Sequence, residues 1–534
     1  MGAVSVLAVL LLWQVASTLA PGDSLITNDP WIGTSQLNDM VFVSPIFHRG
    51  RIVGYAANIA HSPDVGGRLL SADSRELFEE GLRLPIAKLI ERGRPNQTIV
   101  DIIRANVRVP DIVVGDLFAQ EAANTAMIGG VLDFLVKEGR PDLRALSREI
   151  LGRSEKAMRA AIARLPDGTY DSVVETDGFD TPLELRARVT VAGDELSVDF
   201  TGTSPQQGMG INCTFNYAYA ETVFPLICLC APDSPINGGT LRPLRVSAPD
   251  GTILSATHPA PLGGRLLVSM YVQCAIFRAL AVAVPDRVLA DCAAPAWTPV
   301  VQGINQHGQR FVDIVFLNGG LGARPDRDGV DVLGFPGNLS GTLVEIFENE
   351  KPMLVERREI AEETAGAGRY RGGAGLHFSV RSESDTPITV GLRADRLLHP
   401  AQGLQGGGAG APGLVLLKPR VRPLPQRLRG RSAGPSSPGA ALGARERPAQ
   451  LRRLRPRRGR SAGRSREGRF GTPSPPAAPG RQAARPQAEG RPRPRPAWSG
   501  SALSPSVARH WSAQRRAQRP RPSIAKERSG GTWS

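Results

Sequence analysis

Four side chains near the N-terminal end have types and spacing suited to holding a cation or moving a proton: Gln36, Asp39, His61 and Asp64. Gln36 lies three positions before Asp39, and Asp64 lies three after His61, in a chain with only 7 histidines. A carboxylate, an imidazole and an amide oxygen together suit a divalent ion such as Mn²⁺, Fe²⁺ or Zn²⁺. Asp and His beside turns also serve as surface or capping groups, so the chemistry depends on whether folding brings these four together.

The elements around them favour that meeting. "DMVFVSPIF" and "RIVGYAANIA" are β-rich runs joined at Arg49-Gly50, where glycine permits a tight hairpin turn. A two-residue turn pairs His48 with Arg51, so a regular ladder sets Asp39 opposite Ala60 and lets His61 emerge beside it at the open end. From Thr98 the pattern turns helical. "TIVDIIRANV", "GDLFAQEAANTAMIGGVLDFLVKEG" and "DLRALSREILGRSEKAMRAAIARL" carry apolar residues at three- and four-residue spacing, which predicts core-facing stripes. "ELRARVTVAGDELSVDFTG" reads as a hairpin turning at Ala192-Gly193-Asp194, followed by helical stretches at 215–231 and 264–284 and a late β-rich part that includes "FVDIVFLNGG" and "PITVGLRAD". The expected fold class is mixed α/β (α+β), a compact body of β-hairpins and packed helices.

Charge divides the chain. Residues 411–534 carry 29 Lys and Arg against 4 Asp and Glu, so the remainder has 36 basic and 46 acidic residues and is acidic on its own. The whole-chain pI near 10.3 therefore does not argue for a nucleic-acid partner of the body. The expected divisions are an apolar segment at 1–20, a body at 21–415 and an Arg/Pro-rich tail at 416–534. The tail has too little apolar surface to offset its ordering entropy and is expected to be disordered; its composition also fits out-of-frame translation of a GC-rich gene. The apolar run from Val4 to Ala16 is too short to span a bilayer and lacks a basic leader, so it reads as a helix core rather than a signal peptide. The five cysteines form no CxxC pair, which points to buried thiols in a cytoplasmic protein.

Other motifs narrow the chemistry. "GGGAGAPG" contains GxGxxG at Gly408, Gly410 and Gly413, but Pro412 and "LVLL" follow where a dinucleotide loop needs a helix. No Walker A sequence and no G-x-S-x-G elbow occurs, so ATP hydrolysis by this chain alone is not expected. "GGLGARPDRDG" puts Arg324, Asp326, Arg327 and Asp328 in one loop, where arginine can grip a carboxylate or phosphate. Cys213 has no base or cation next to it in sequence and is expected to be packed rather than reactive.

The run from "PGDSLITNDPW" through "AHSPDVGG" resembles the hydantoinase B/oxoprolinase family, and "VDFTGTSPQQGMGIN", "NGGLGARPDRDG", "GAGRYRGGAG" and "HPAQGLQGGGAGAPG" continue the resemblance in order to about residue 415. The resemblance implies an ATP-dependent hydrolase of cyclic amides such as hydantoins or 5-oxoproline, with a ketone carboxylase subunit or a non-catalytic structural subunit as alternatives. It implies a separate A-type ATPase partner that activates the carbonyl by phosphorylation, and no nucleic-acid or membrane partner. In the carboxylase branch a His-x-x-Asp and a later His hold the metal; the Asp falls on Asp39, the later His on His61, and the first His on Gln36. Asp39, His61 and Gln36 are thus the expected metal ligands, with a neutral amide where the pattern has an imidazole. Asp64, Asn28 and Asp29 are the expected catalytic groups, Asp64 as a base or a partner to the ligands, and Arg324 and Asp328 the expected substrate contacts.

Overall fold

The β-rich runs of residues 39–61 fold as expected into the longest antiparallel ribbon of the first sheet. In the computed structural model, which describes residues 19–33, 35–337 and 340–417, this sheet has the order β3-β2-β1-β4-β5. Its strands are β1 (Ser24–Thr27), β2 (Asp39–His48), β3 (Arg51–His61), β4 (Ala87–Glu91) and β5 (Arg94–Pro95). Arg49 and Gly50 both adopt positive φ, 50° and 75°, the pair a type I′ turn needs. His48 pairs with Arg51 as the two-residue turn requires, but the register shifts between Ile46 and Phe47. Phe47 faces Ile52 while Ile46 faces Gly54, leaving Val53 as the extra residue of a β-bulge. One residue of slip carries the rest of the ladder along, so Asp39 pairs with His61 itself and Ala60 faces Met40.

Three helices follow: α1 (Gln97–Asn106), α2 (Pro110–Lys137) and α3 (Arg144–Ile162). Asn96 caps α1 by accepting from the Ile99 amide, and Pro110 opens α2 at a position that needs no N–H. The apolar stripe of α2 is less buried than its spacing predicts. Val113, Val114, Leu117 and Leu135 are buried, whereas Ile112, Met127, Phe134 and Val136 are exposed. Apolar residues on all sides of a helix exceed what one contact face can cover. With Ile26, Phe42, Leu89 and Ile103, the first turns of α2 close a core beneath the first sheet.

The larger core lies under a second sheet of order β6-β7-β8-β9, formed by Gly168–Thr176, Leu183–Ala192, Glu195–Asp199 and Leu244–Ser247. Strand β7 alternates buried Leu183, Leu185, Ala187, Val189 and Val191 with outward-facing residues, and the turn to β8 lies at Gly193-Asp194. Against it pack α4 (Phe215–Cys230) and, after the short helix α5 (Gly238–Leu241), the pair α6 (Leu266–Ser269) and α7 (Val272–Leu280). The single helix expected over 264–284 is thus two short ones, broken at Met270-Tyr271. A third sheet, β11-β10-β14 (Arg310–Ile314, Val300–Ile304, Thr389–Gly391), and a ribbon of β12 (Met353–Ala361) with β13 (Gly375–Ser382), joined through α8 (Val344–Glu350), complete the described elements. Mixed α/β is the observed class. The apolar N-terminal run and all but the first two residues of the Arg/Pro-rich tail lie outside the described residues. Among the described residues no helix is long and apolar enough to cross a membrane.

Candidate functional site

At the open end of the β2–β3 hairpin three side chains touch one another. His61 Nδ1 lies 2.8 Å from Asp39 Oδ1, Gln36 Nε2 lies 2.9 Å from the same oxygen, and Gln36 Nε2 lies 3.0 Å from His61 Nδ1. Strand pairing sets two of these groups side by side, and the loop entering β2 brings the third. That loop is tied down from the far side: the Thr214 amide donates to Ser35 Oγ, and Asn216 donates to the carbonyls of Pro30 and Gly33. Ser35 holds this position at a φ of 69°, fully buried.

A cation suits the three contacting atoms. With the Asp39 carboxylate ionised, no placement of protons turns all three contacts into hydrogen bonds. If Nδ1 carries the proton it donates to Asp39 and meets the Gln36 amide donor head-on; if it does not, it faces the carboxylate as a second acceptor at 2.8 Å. Turning the amide over only moves the conflict to two oxygens. Three lone pairs directed at one ion remove it, and an octahedral ion with bonds of about 2.1 Å spaces neighbouring ligands about 3.0 Å apart. Among the described residues no three His, Cys, Asp or Glu side chains form a metal cage, so the cluster reaches three donors only through the Gln36 amide.

The other expected site residues are placed differently. Asp64 is fully buried, and its oxygens receive the Gly66 amide, the Arg108 amide and the Arg108 guanidinium, the last at 2.7 Å. A carboxylate held by these donors orders the turn after His61. The Asn28 side chain bridges three backbone groups, donating to Leu37 O (2.7 Å) and Leu82 O (2.8 Å) and accepting from the Leu84 amide (2.6 Å). Asp29 accepts from the Trp31 amide at 3.0 Å and pairs with Arg83. Arg324 donates to the Asp328 carbonyl of its own loop, while the Asp328 carboxylate accepts from the Arg371 amide. These bonds close the loop upon itself and dock it on the 366–374 segment.

One charged residue of the cluster had no motif to announce it. Arg265 Nη2 lies 3.1 Å from Asp39 Oδ2, with both side chains nearly buried. The ring of Tyr217 lies under the guanidinium, 4.1 Å from Cζ to centroid. Arg265 follows Gly263 and Gly264, which pass too close to Ser71 and Gly210 for any side chain: an added Cβ would meet Ser71 O at 2.6 Å and Gly210 O at 2.7 Å. Glu80 grips the same turn, accepting from the Leu262 and Gly263 amides at 2.7 Å each, and burial pushes its carboxyl up to about 7. Arg393 donates to the Gly263 and Thr298 carbonyls. A signal was present: between Asp250 and Arg278, Arg265 is the sole Asp, Glu, Lys or Arg.

Residues 2–446 match the Hydantoinase B/oxoprolinase family. The chain belongs to that family. A protein of Methanocaldococcus jannaschii is 33% identical over 396 residues, covering 73% of this chain and 69% of the relative. The caprolactamase subunit beta of Pseudomonas jessenii is 29% identical over 418 residues, 76% of this chain and 71% of that one. The crystal structure of the ATP-dependent caprolactamase from the same organism superposes with a TM-score of 0.67 at 25% identity, covering 72% of this chain and 68% of that chain. Acetone carboxylase in its nucleotide-free form shares the fold, with a TM-score of 0.70 at 19% identity; the match covers 75% of this chain and 56% of that chain, so this chain spans little more than half of the carboxylase chain.

Other family-like segments prove structural. Among the described residues the 408–413 glycines run into irregular chain at 414–417, where a dinucleotide loop would open a helix. All five cysteines are free thiols, and Cys213 is buried with its thiol pushed up to about 12 by burial. A packed, protonated thiol is no nucleophile.

Proposed function

We propose that this chain is the B-type subunit of an ATP-dependent hydrolase of cyclic amides, acting on a carbonyl activated by an A-type ATPase subunit. The observation that carries this reading is the mutual contact of Gln36, Asp39 and His61 at 2.8–3.0 Å in a chain of the Hydantoinase B/oxoprolinase family. Relatives with amide-hydrolysing names, the ATP-dependent caprolactamase among them, favour hydrolysis over carboxylation.

Asp39, His61 and Gln36 are the residues that would hold a divalent ion, Mn, Fe or Zn. When bound, such an ion supplies Lewis-acid polarisation of a carbonyl and makes water more acidic. Asp39 gives the cluster its negative charge, and Arg265 fixes its second oxygen so that the first stays turned to His61. The His61 side chain is about one-third exposed (35%), the others far less, so substrate reaches the cluster past the imidazole. Asp64, Asn28 and Asp29 hold the loops in register, through Arg108, the Leu37, Leu82 and Leu84 backbone, and Arg83.

The test is co-expression with an A-type subunit, followed by ATP-dependent turnover of hydantoins, 5-oxoproline and lactams, with and without added bicarbonate and a simple ketone. Turnover of an amide that falls at least about 100-fold in His61→Ala, together with loss of bound metal by elemental analysis, is the expected result. Full activity or full metal content in that variant removes the site from the reaction, and turnover confined to ketone plus bicarbonate replaces hydrolysis with carboxylation.

A further inference from the structure

We propose that the buried guanidinium of Arg265 is an anion receptor beside Asp39 and His61, taking the phosphoryl or carboxylate oxygens of an activated substrate. The inference rests on the reading of this cluster as the reactive centre and names the charge its substrate carries.

Two independent features point to a ligand. Arg265 is 5% exposed, and while Nη2 pairs with Asp39, its Nε and Nη1 are buried and make no well-formed hydrogen bond, the Tyr217 side chain being the neighbour that interacts with the guanidinium. Buried donors are almost always paired, and a guanidinium presents its five N–H groups in a planar fork matched to carboxylate and phosphate oxygens. Tyr217 covers one face of the plane, which leaves the edge as the side where an acceptor binds.

Charge is the second feature. Arg393 is 3% exposed and gives its donors to backbone carbonyls, Thr298 O and Gly263 O, rather than to a carboxylate. Burial and the positive charge of Arg265 together push its guanidinium down to about 9, which places the two cations within each other's field. Asp39 is the carboxylate in contact with Arg265, and burial pushes Glu80 and Glu221 up to about 7, toward their neutral forms. Two buried guanidiniums, of which only Arg265 touches a carboxylate, leave an excess of positive charge wherever Glu80 and Glu221 are neutral, and burial makes that excess costly unless an anion enters. A divalent ion on the Gln36–Asp39–His61 face would enlarge that excess. Carbonyl activation by phosphorylation produces such an anion next to the carbon under attack.

The experiment is calorimetric titration of the full 534-residue chain with inorganic phosphate and, separately, with acetate, for the wild type and for Arg265→Gln, Arg265→Lys and Arg188→Gln. Arg188 is an exposed residue paired with Asp171 and reports unspecific anion binding. The expected result is saturable binding that weakens on the order of 10- to 100-fold in Arg265→Gln and stays unchanged in Arg188→Gln. Arg265→Lys keeps a cation in place of the fork; it is expected to fold and to bind about 10-fold more weakly. Phosphate binding more tightly than acetate assigns the receptor to a phosphoryl group, and the reverse assigns it to a substrate carboxylate. Absence of saturable binding by the wild type, or wild-type affinity in both Arg265 variants, overturns the receptor. Neither ATP nor a partner enters this titration: anion binding without turnover in the co-expression assay retains the receptor and rejects the hydrolase, and turnover without anion binding does the opposite.

Discussion

Replacing Asp39 with Ala tests the electrostatic argument directly. The Asp39 carboxylate and the Arg265 guanidinium face each other at 3.1 Å with side chains 10% and 6% exposed, so solvent screens the pair little. Removing the acid leaves the arginine buried without its counter-charge, a change that costs about 3–5 kcal/mol in comparable pairs. In urea, with a slope near ~3 kcal/mol per molar, that lowers the unfolding midpoint by roughly 1–2 M. The double variant Asp39→Ala, Arg265→Met removes both charges and keeps the volume of the arginine stem. It should recover at least about half of the loss, because the penalty belongs to the orphaned charge and not to the missing contact. Urea titrations followed by far-UV circular dichroism decide the matter. A single-variant shift below about 0.3 M, or a double variant no more stable than the single, would show that the pair is not the buried, mutually dependent unit described here.

Two further predictions concern the supports of the cluster. Burial raises Glu80 to about 7 from 4.5, against the pull of the Gly263 and Leu262 amides, so the folded chain keeps a proton that the unfolded chain releases. Stability from this residue is therefore full below about pH 4.5 and declines as pH rises to about 7; Glu80→Gln should gain on the wild type by roughly 2–3 kcal/mol between pH 5 and pH 8, and an equal gap at both pH values in thermal melts rejects the assignment. Asn28→Ala breaks three buried bonds to the Leu37, Leu82 and Leu84 backbone and should cost about 2–4 kcal/mol, while metal content per folded chain stays the same; a neutral effect on the melting temperature contradicts the bridging role.

Local pattern carried much of this fold. The β-rich composition of residues 39–61, the Arg49-Gly50 turn and the three- and four-residue spacing of α1 to α3 state their secondary structure without help, because backbone sterics and side-chain shape act over a few residues. The nearness of Asp39 to His61 follows from the hairpin alone. Their direct pairing does not, since it depends on the bulge at Val53, which shifts the register by one residue. Short strands such as β1 and β4 lack a period long enough to read and exist because neighbouring strands satisfy their backbone groups.

By itself the sequence determined the hairpin, the helices and the family, and it singled out Gln36, Asp39 and His61, three side chains that the fold brings into contact. Tertiary structure alone decided which polar residues surround them. Arg265 is 226 positions from Asp39, and Arg108 is 44 from Asp64, distances across which no periodicity connects two side chains. Asp64, Asn28 and Asp29 are the expected catalytic groups, and the folded chain supplies each with backbone or arginine partners that no local pattern places there. The physical reason is general: a buried polar group is defined by the partner that reaches it, and in a packed interior that partner comes from wherever the chain happens to return.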